Sequence, residues 1–131
     1  MSRTLLIIAA LSGFFAVALG AFGAHALKTV LSEDMRAVWN TGVTYQMTHT
    51  LALLLFWGLG QTTALSRQWL TRASWSLVVG IGLFSGSLYL LCLTEQRWLG
   101  AITPLGGTAF LAGWLALLKA TLMIPGEKDK T

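Results

Sequence analysis

Charge is what this sequence has least of: nine Lys or Arg and five Asp or Glu make up 11% of its 131 residues, against about 25% in ordinary soluble domains. The few charges are also confined. None occurs between Arg3 and Lys28, between Arg36 and Arg67, between Arg72 and Glu95, or between Arg97 and Lys119. Each of these gaps is at least as long as the roughly 20 apolar residues that a bilayer-spanning helix needs. So oily a chain excludes a soluble enzyme and a nucleic-acid reader. Cysteine is nearly absent too. The lone Cys92 cannot form an internal disulfide, which excludes a disulfide-stapled secreted domain and leaves the redox compartment unread. Acid is missing from the apolar stretches: Glu33, Asp34, Glu95, Glu127 and Asp129 all fall in connections or the tail. A proton-coupled carrier usually keeps a carboxylate inside a span, so active transport is disfavoured.

What is present reads as an all-α chain, a single integral membrane domain over residues 1–131. It is expected to be a four-transmembrane-helix bundle with spans at about Thr4–Ala26, Thr41–Gly60, Ala73–Leu93 and Pro104–Ile124. The first span ends in Ala24-His25-Ala26, which resembles a signal-peptidase site. Its apolar run is nevertheless longer than the roughly 7–15 residues of a signal h-region, so it reads as a retained helix. Ser32 with Glu33 and Asp34 supplies a cap oxygen and acids at the positive end of a helix dipole. Leu31, Met35, Val38 and Trp39 then recur at helical spacing. This segment is expected as a short interfacial helix between the first two spans, the alternative being that it leads straight into the second. Thr103-Pro104 starts the last span and Pro125-Gly126 stops it. A charged tail follows.

The basic residues set a direction. With the N-terminus inside, Arg3, Arg67, Arg72, Lys119, Lys128 and Lys130 lie on the inner side, and only Lys28, Arg36 and Arg97 on the outer. The positive-inside rule then puts both termini in the cytoplasm. Trp39, Trp57, Trp69, Trp75 and Trp98 fall near span ends, as an aromatic belt requires, while Trp114 lies within a span.

Burying apolar surface gains little in lipid, so close helix contact must come from small residues. Ala9, Gly13, Ala16, Gly20 and Gly23 form one stripe on the first span. Gly106, Ala109, Gly113, Ala116 and Ala120 form another on the fourth. The two stripes are expected to pack against each other. Gly82 and Gly86 make a G-x-x-x-G in the third span, suited equally to internal packing or to oligomer contact.

Polar side chains gather in what this orientation makes the outer half of the membrane: His25, Tyr45, Gln46, His49, Ser85, Ser87 and Tyr89. Three readings compete. The first is structural, with Gln46, His49 and Tyr89 hydrogen-bonded to neighbouring helices. The second is a small cavity around His49 for a solute, a proton or a lipid headgroup. The third is a metal site from His25, His49 and Cys92 with Glu95, which the depth of His49 disfavours. No metal and no cofactor is therefore expected, and no nucleophile–base pair, phosphate loop or carboxylate pair suggests an enzyme.

Four ordered motifs carry a resemblance: Gly20-Ala21-Phe22-Gly23-Ala24-His25-Ala26, Tyr45-Gln46-x-x-His49, Leu83-Phe84-Ser85-Gly86-Ser87-Leu88-Tyr89, and Thr103-Pro104-Leu105-Gly106-Gly107 with Phe110, Gly113 and Trp114. The chain resembles the domain-of-unknown-function 423 family, YgdD-like and transmembrane protein 256-like small four-helix membrane proteins. The resemblance implies an integral plasma-membrane protein without an assigned activity, and it offers no catalytic residue to carry over. The expected function is non-enzymatic. The protein is expected to act through helix packing with itself or another membrane protein, with the lipid bilayer as its medium and no nucleic acid, and to hold a lipid or small polar ligand in the outer polar layer. The alternative is a small oligomeric channel or carrier.

Overall fold

The computed structural model describes residues 1–124, and all its regular structure is helical. Residues 125–131, which include the expected stop at Pro125-Gly126 and the tail lysines Lys128 and Lys130, lie outside the described residues. Helix α1 covers Arg3–His25 and α2 covers Glu33–Thr62. Helix α3, Arg67–Thr94, contains a π-helical turn at Ile81–Ser85. A 3₁₀ turn at Arg97–Ala101 then leads into α4, Thr103–Leu122, with Pro104 in its first turn. Helix α3 is followed by Glu95 as its C-cap, whose φ of 56° is the only positive φ among the described residues.

No separate interfacial helix stands between α1 and α2. The Ser32 hydroxyl accepts from the Met35 amide at 3.2 Å, with Glu33 and Asp34 in the first turn. From that cap the helix continues unbroken for 30 residues. The first turns stay collinear because they are packed: Leu31, Met35 and Val38 cover a buried cluster of Leu27, Trp39 and Cys92. At 1.5 Å per residue α2 is about 45 Å long, well beyond the roughly 30 Å of a hydrocarbon core. Helix α3 likewise begins at Arg67 rather than near Ala73, directly after Ser66 at its N-cap.

Consecutive helices pack antiparallel. Gly13 faces the Thr50 side chain and Gly20 faces Val43, while Gly23 lies under the Trp39 indole, so α1 runs along α2 in reverse. On α4, Gly106 meets the backbone of Phe84, and Gly113 meets Leu77 and the Ala73 carbonyl. The expected mating of α1 with α4 is therefore wrong. The two stripes do mark close contacts, and Ala9 and Ala16 are buried within one of them. Their partners are α2 and α3. A small-residue face states how closely a helix can be approached and leaves open which neighbour approaches, and short connections favour the next helix in the chain.

Gly82 and Gly86 take no part in internal packing, since nothing lies within 4 Å of where a Cβ would stand on either. The helix spanning them instead buries Gly80 against the Phe110 ring. The π-helical turn seats Ser85 so that its hydroxyl donates to the Gly42 carbonyl of α2 at 2.7 Å.

One buried cluster joins α2, α3 and α4 through Phe56, Leu70, Leu77 and Phe110. A second joins α1 to α2 through Leu5, Ala9 and Leu53. The outer faces are apolar, with Phe14, Leu111 and Leu115 each about two-thirds exposed. Three stretches, Arg3–His25, Arg67–Thr94 and Arg97–Leu122, are long and apolar enough to cross a membrane. Helix α2 is equally long but more polar in its first half.

Candidate functional site

The polar residues of α2 do not form one layer. Successive helix positions differ by about 100°, so Gln46 points away from Tyr45 and His49. Two environments result, one on each side of α2.

On the α1 side Gln46 is a hub. Its amide nitrogen donates to the Ser12 carbonyl at 2.9 Å, and its amide oxygen accepts from the Tyr89 hydroxyl at 2.7 Å. One side chain thus links α1, α2 and α3. Beside it the hydroxyls of Ser12 and Thr50 share a hydrogen bond of 2.6 Å. Nearer the start of α2, the Trp39 indole donates to the Leu19 carbonyl at 2.9 Å and packs against the Tyr89 ring. Trp39 is expected in an aromatic belt but is instead a core residue, only 1% exposed. The glycine stripe of α1 leaves the space that its indole fills. Replacing Gln46 by Leu and Tyr89 by Phe in a double-mutant cycle is expected to show a coupling of about 0.6–1.7 kcal/mol in detergent unfolding, the range for hydrogen bonds between membrane helices. Additive losses would show that the bond does not form.

On the α4 side His49 is enclosed by rings. Its imidazole stacks on Phe110 at 3.6 Å between centroids and 10° between planes, and Tyr45 stacks on Phe84 at 4.3 Å. His49 Nδ1 lies 2.8 Å from the Tyr45 carbonyl, which can only accept, so Nδ1 carries the proton. Nε2 therefore presents a lone pair, engaged by the Trp114 indole N–H at a long 3.4 Å. Tyr45, His49, Phe84, Phe110 and Trp114, with Gly107 and Thr108 of α4, line a groove of about 450 Å³. Its wall is mostly aromatic and includes the loosely held Nε2 acceptor.

Residues 19–107 match the family described as "Protein of unknown function (DUF423)". The chain belongs to the DUF423 family. Over 124 residues it is 47% identical to a UPF0382 membrane protein of Staphylococcus epidermidis, covering 95% of this chain and 99% of that protein. It is 42% identical to the UPF0382 membrane protein YwdK of Bacillus subtilis, covering 92% of this chain and 97% of that one. No solved structure matches the chain. With three helices able to cross a bilayer and relatives of this kind, this DUF423 chain is a helical membrane protein.

The motifs that carry the resemblance fall on both sides of α2. Gln46, Tyr89 and Ser85 come together at the α1–α2–α3 junction. Tyr45 and His49 join Phe84, Phe110 and Trp114 at the groove. Ser87 lies apart, its hydroxyl paired with Thr103 at 2.7 Å where α3 meets the start of α4. His25 is exposed at the end of α1 and joins neither group. Cys92 donates its thiol to the Met35 carbonyl at 3.2 Å. Among the described residues no three His, Cys, Asp or Glu side chains stand close enough to share an ion.

Ser12 is the functional neighbour that sequence reasoning misses. A lone serine in an apolar helix carries little signal by itself. Its position one residue before Gly13, on the small-residue stripe, is the clue that it faces another helix.

Proposed function

We propose that the protein is a non-enzymatic, four-span protein of the bacterial inner membrane with both termini in the cytoplasm, α2 being the fourth span. It acts through helix packing with itself or with another membrane protein, and it holds a lipid or a small polar ligand in the groove beside His49. The observation that carries this reading is the bonded polar junction around Gln46. Both ends of the Gln46 amide are bonded within the bundle. Phe56, fully buried, packs with Ala52 and Leu77 further down. The bonds that join Gln46, Ser12, Thr50 and Tyr89, and the rings packed along the axis, favour a structural junction over a water-filled path. The groove lies to one side, where its aromatic wall suits the apolar part of a lipid or small ligand and the Nε2 lone pair suits a hydrogen-bond donor on it. A channel or carrier would need a lumen built between copies of the chain.

Native mass spectrometry in mild detergent tests this directly, because stoichiometry and retained small molecules appear in one spectrum. A Cβ on Gly107 would meet only the Phe84 ring, at 3.9 Å, so this position opens on the groove. Gly107→Phe is expected to fill the groove, leaving the melting temperature unchanged while abolishing the retained ligand. Retention equal to that of the unmodified protein would remove the groove from the proposal. Solute flux in vesicles that Gly107→Phe does not alter, with oligomers in the spectrum, would favour the channel. Single-cysteine labelling at the two ends should react from the cytoplasmic face only.

A further inference from the structure

The end of the bundle that carries the N-terminus has no acid among the described residues. Arg3 opens α1, Arg67 opens α3, Arg72 follows one turn later, and Lys119 stands in the last turn of α4. Glu33 and Asp34, at the start of α2, and Glu95, after the end of α3, are all at the opposite end. Residues 125–131, outside the described ones, hold two acids and two lysines.

Two of these cations are gathered around one ring. The guanidinium carbon of Arg72 lies 4.5 Å from the centroid of Trp69, and the ammonium nitrogen of Lys119 lies 4.4 Å from it. Trp69 is on the first turn of α3 and Lys119 on the last turn of α4, so the cluster sits where the two helices end side by side. The face of an indole attracts a cation, which offsets part of the repulsion between the two like charges but supplies no negative charge. A guanidinium offers a planar fork that matches two phosphate oxygens, and an ammonium offers three donors. An indole at the end of a membrane-crossing helix prefers the headgroup level. Cations of this kind between helix ends are the chemistry that binds anionic headgroups.

We infer that Arg72, Trp69 and Lys119 form a binding site for the phosphate of an anionic phospholipid, whose chains run down the outer faces of α3 and α4. The occupant follows from charge complementarity and from position. Among the described residues the site is net positive, it lies at the ends of two of the helices able to cross a bilayer, and the surfaces below it are apolar. The inference rests on the membrane-spanning reading but is independent of the groove, so Gly107→Phe leaves it unaffected.

The experiment compares lipids retained by the full chain from mixed micelles of phosphatidylglycerol and phosphatidylcholine, read by native mass spectrometry. The unmodified protein is expected to retain phosphatidylglycerol in preference, by about tenfold or more, the scale of two basic side chains near an anionic surface. R72Q/K119Q is expected to lose most of that preference, and R97Q, which removes a cation at the opposite end, to keep it. Should the double variant not survive purification, R72Q and K119Q singly should each lower the preference several-fold. Added sodium chloride should weaken it. Equal retention of the two lipids by the unmodified protein, or an equal loss in R97Q, would overturn the site. Loss of the preference on adding millimolar inorganic phosphate would assign the cluster to free phosphate instead and overturn the lipid. A lipid preference that persists while the terminal labelling fails would separate this site from the proposed topology.

Discussion

Gly106→Ala is expected to destabilise the protein, and Gly106→Leu to prevent α4 from docking at all. A Cβ at position 106 would overlap the backbone nitrogen of Phe84 and stand 2.7 Å from its Cα. Backbone cannot swing aside as a side-chain tip can, so α4 must move away from α3. It would then lift Phe110 off Gly80 and Gly113 off Leu77, contacts that lie on the same face. Overpacking of this kind costs about 1–3 kcal/mol for a methyl group and more for a larger side chain. The sign makes the test sharp, because Gly→Ala inside a helix normally gains up to about 1 kcal/mol. Gly82→Ala and Gly86→Ala meet open space and should show that ordinary gain. Thermal unfolding of the three variants in one mild detergent decides the matter. A Gly106→Ala protein that melts at or above the unmodified temperature would mean that α3 and α4 do not approach this closely.

Trp39→Ala is expected to cost about 3–5 kcal/mol, the range for deleting a large buried aromatic. The indole is 1% exposed, rests on Gly23, packs against Tyr89 and bonds to the Leu19 carbonyl. Its removal empties the space between α1 and α2 at one end of the bundle. Trp39→Phe, which removes the N–H but keeps a ring, should cost less than half as much. Gly23→Leu alone should also destabilise, since its side chain would collide with the indole. Combined with Trp39→Ala, it should cost less than the sum of the two, because one change fills what the other vacates. Strict additivity of the unfolding energies would show that Gly23 and Trp39 are not in contact.

Those two contacts also show where sequence reading stops. The glycine stripes are visible at once as places of close approach, but Gly106 and Gly23 are filled by Phe84 and Trp39, not by each other's helices. Nothing in a spacing of three and four names the partner. Trp39 looks like a belt residue because it lies near an expected span boundary, and that boundary moved: α2 begins at Glu33, which carries Trp39 two turns into the helix. Tyr45, Gln46 and His49 are legible as costly polar residues in a stretch without charge. Their division between a three-helix junction and an aromatic groove is not, because it depends on which elements flank α2. The π-helical turn that seats Ser85 on Gly42 has no reliable pattern in a glycine-rich stretch.

The distribution of charge along the chain determined by itself that the protein is helical and built for a bilayer, because hydrocarbon leaves a backbone little choice but to bond within its own helix. The same distribution, with the Ser32 and Pro104 signals, located most of the helix ends. Only the tertiary structure decided which helices touch, which polar groups satisfy one another, and which face is left as a groove. In lipid an apolar side chain gains little by facing another helix, so hydropathy carries no record of the interior. That record lies in shape: a glycine opposite a backbone, an indole over a missing side chain, an amide within reach of a phenol.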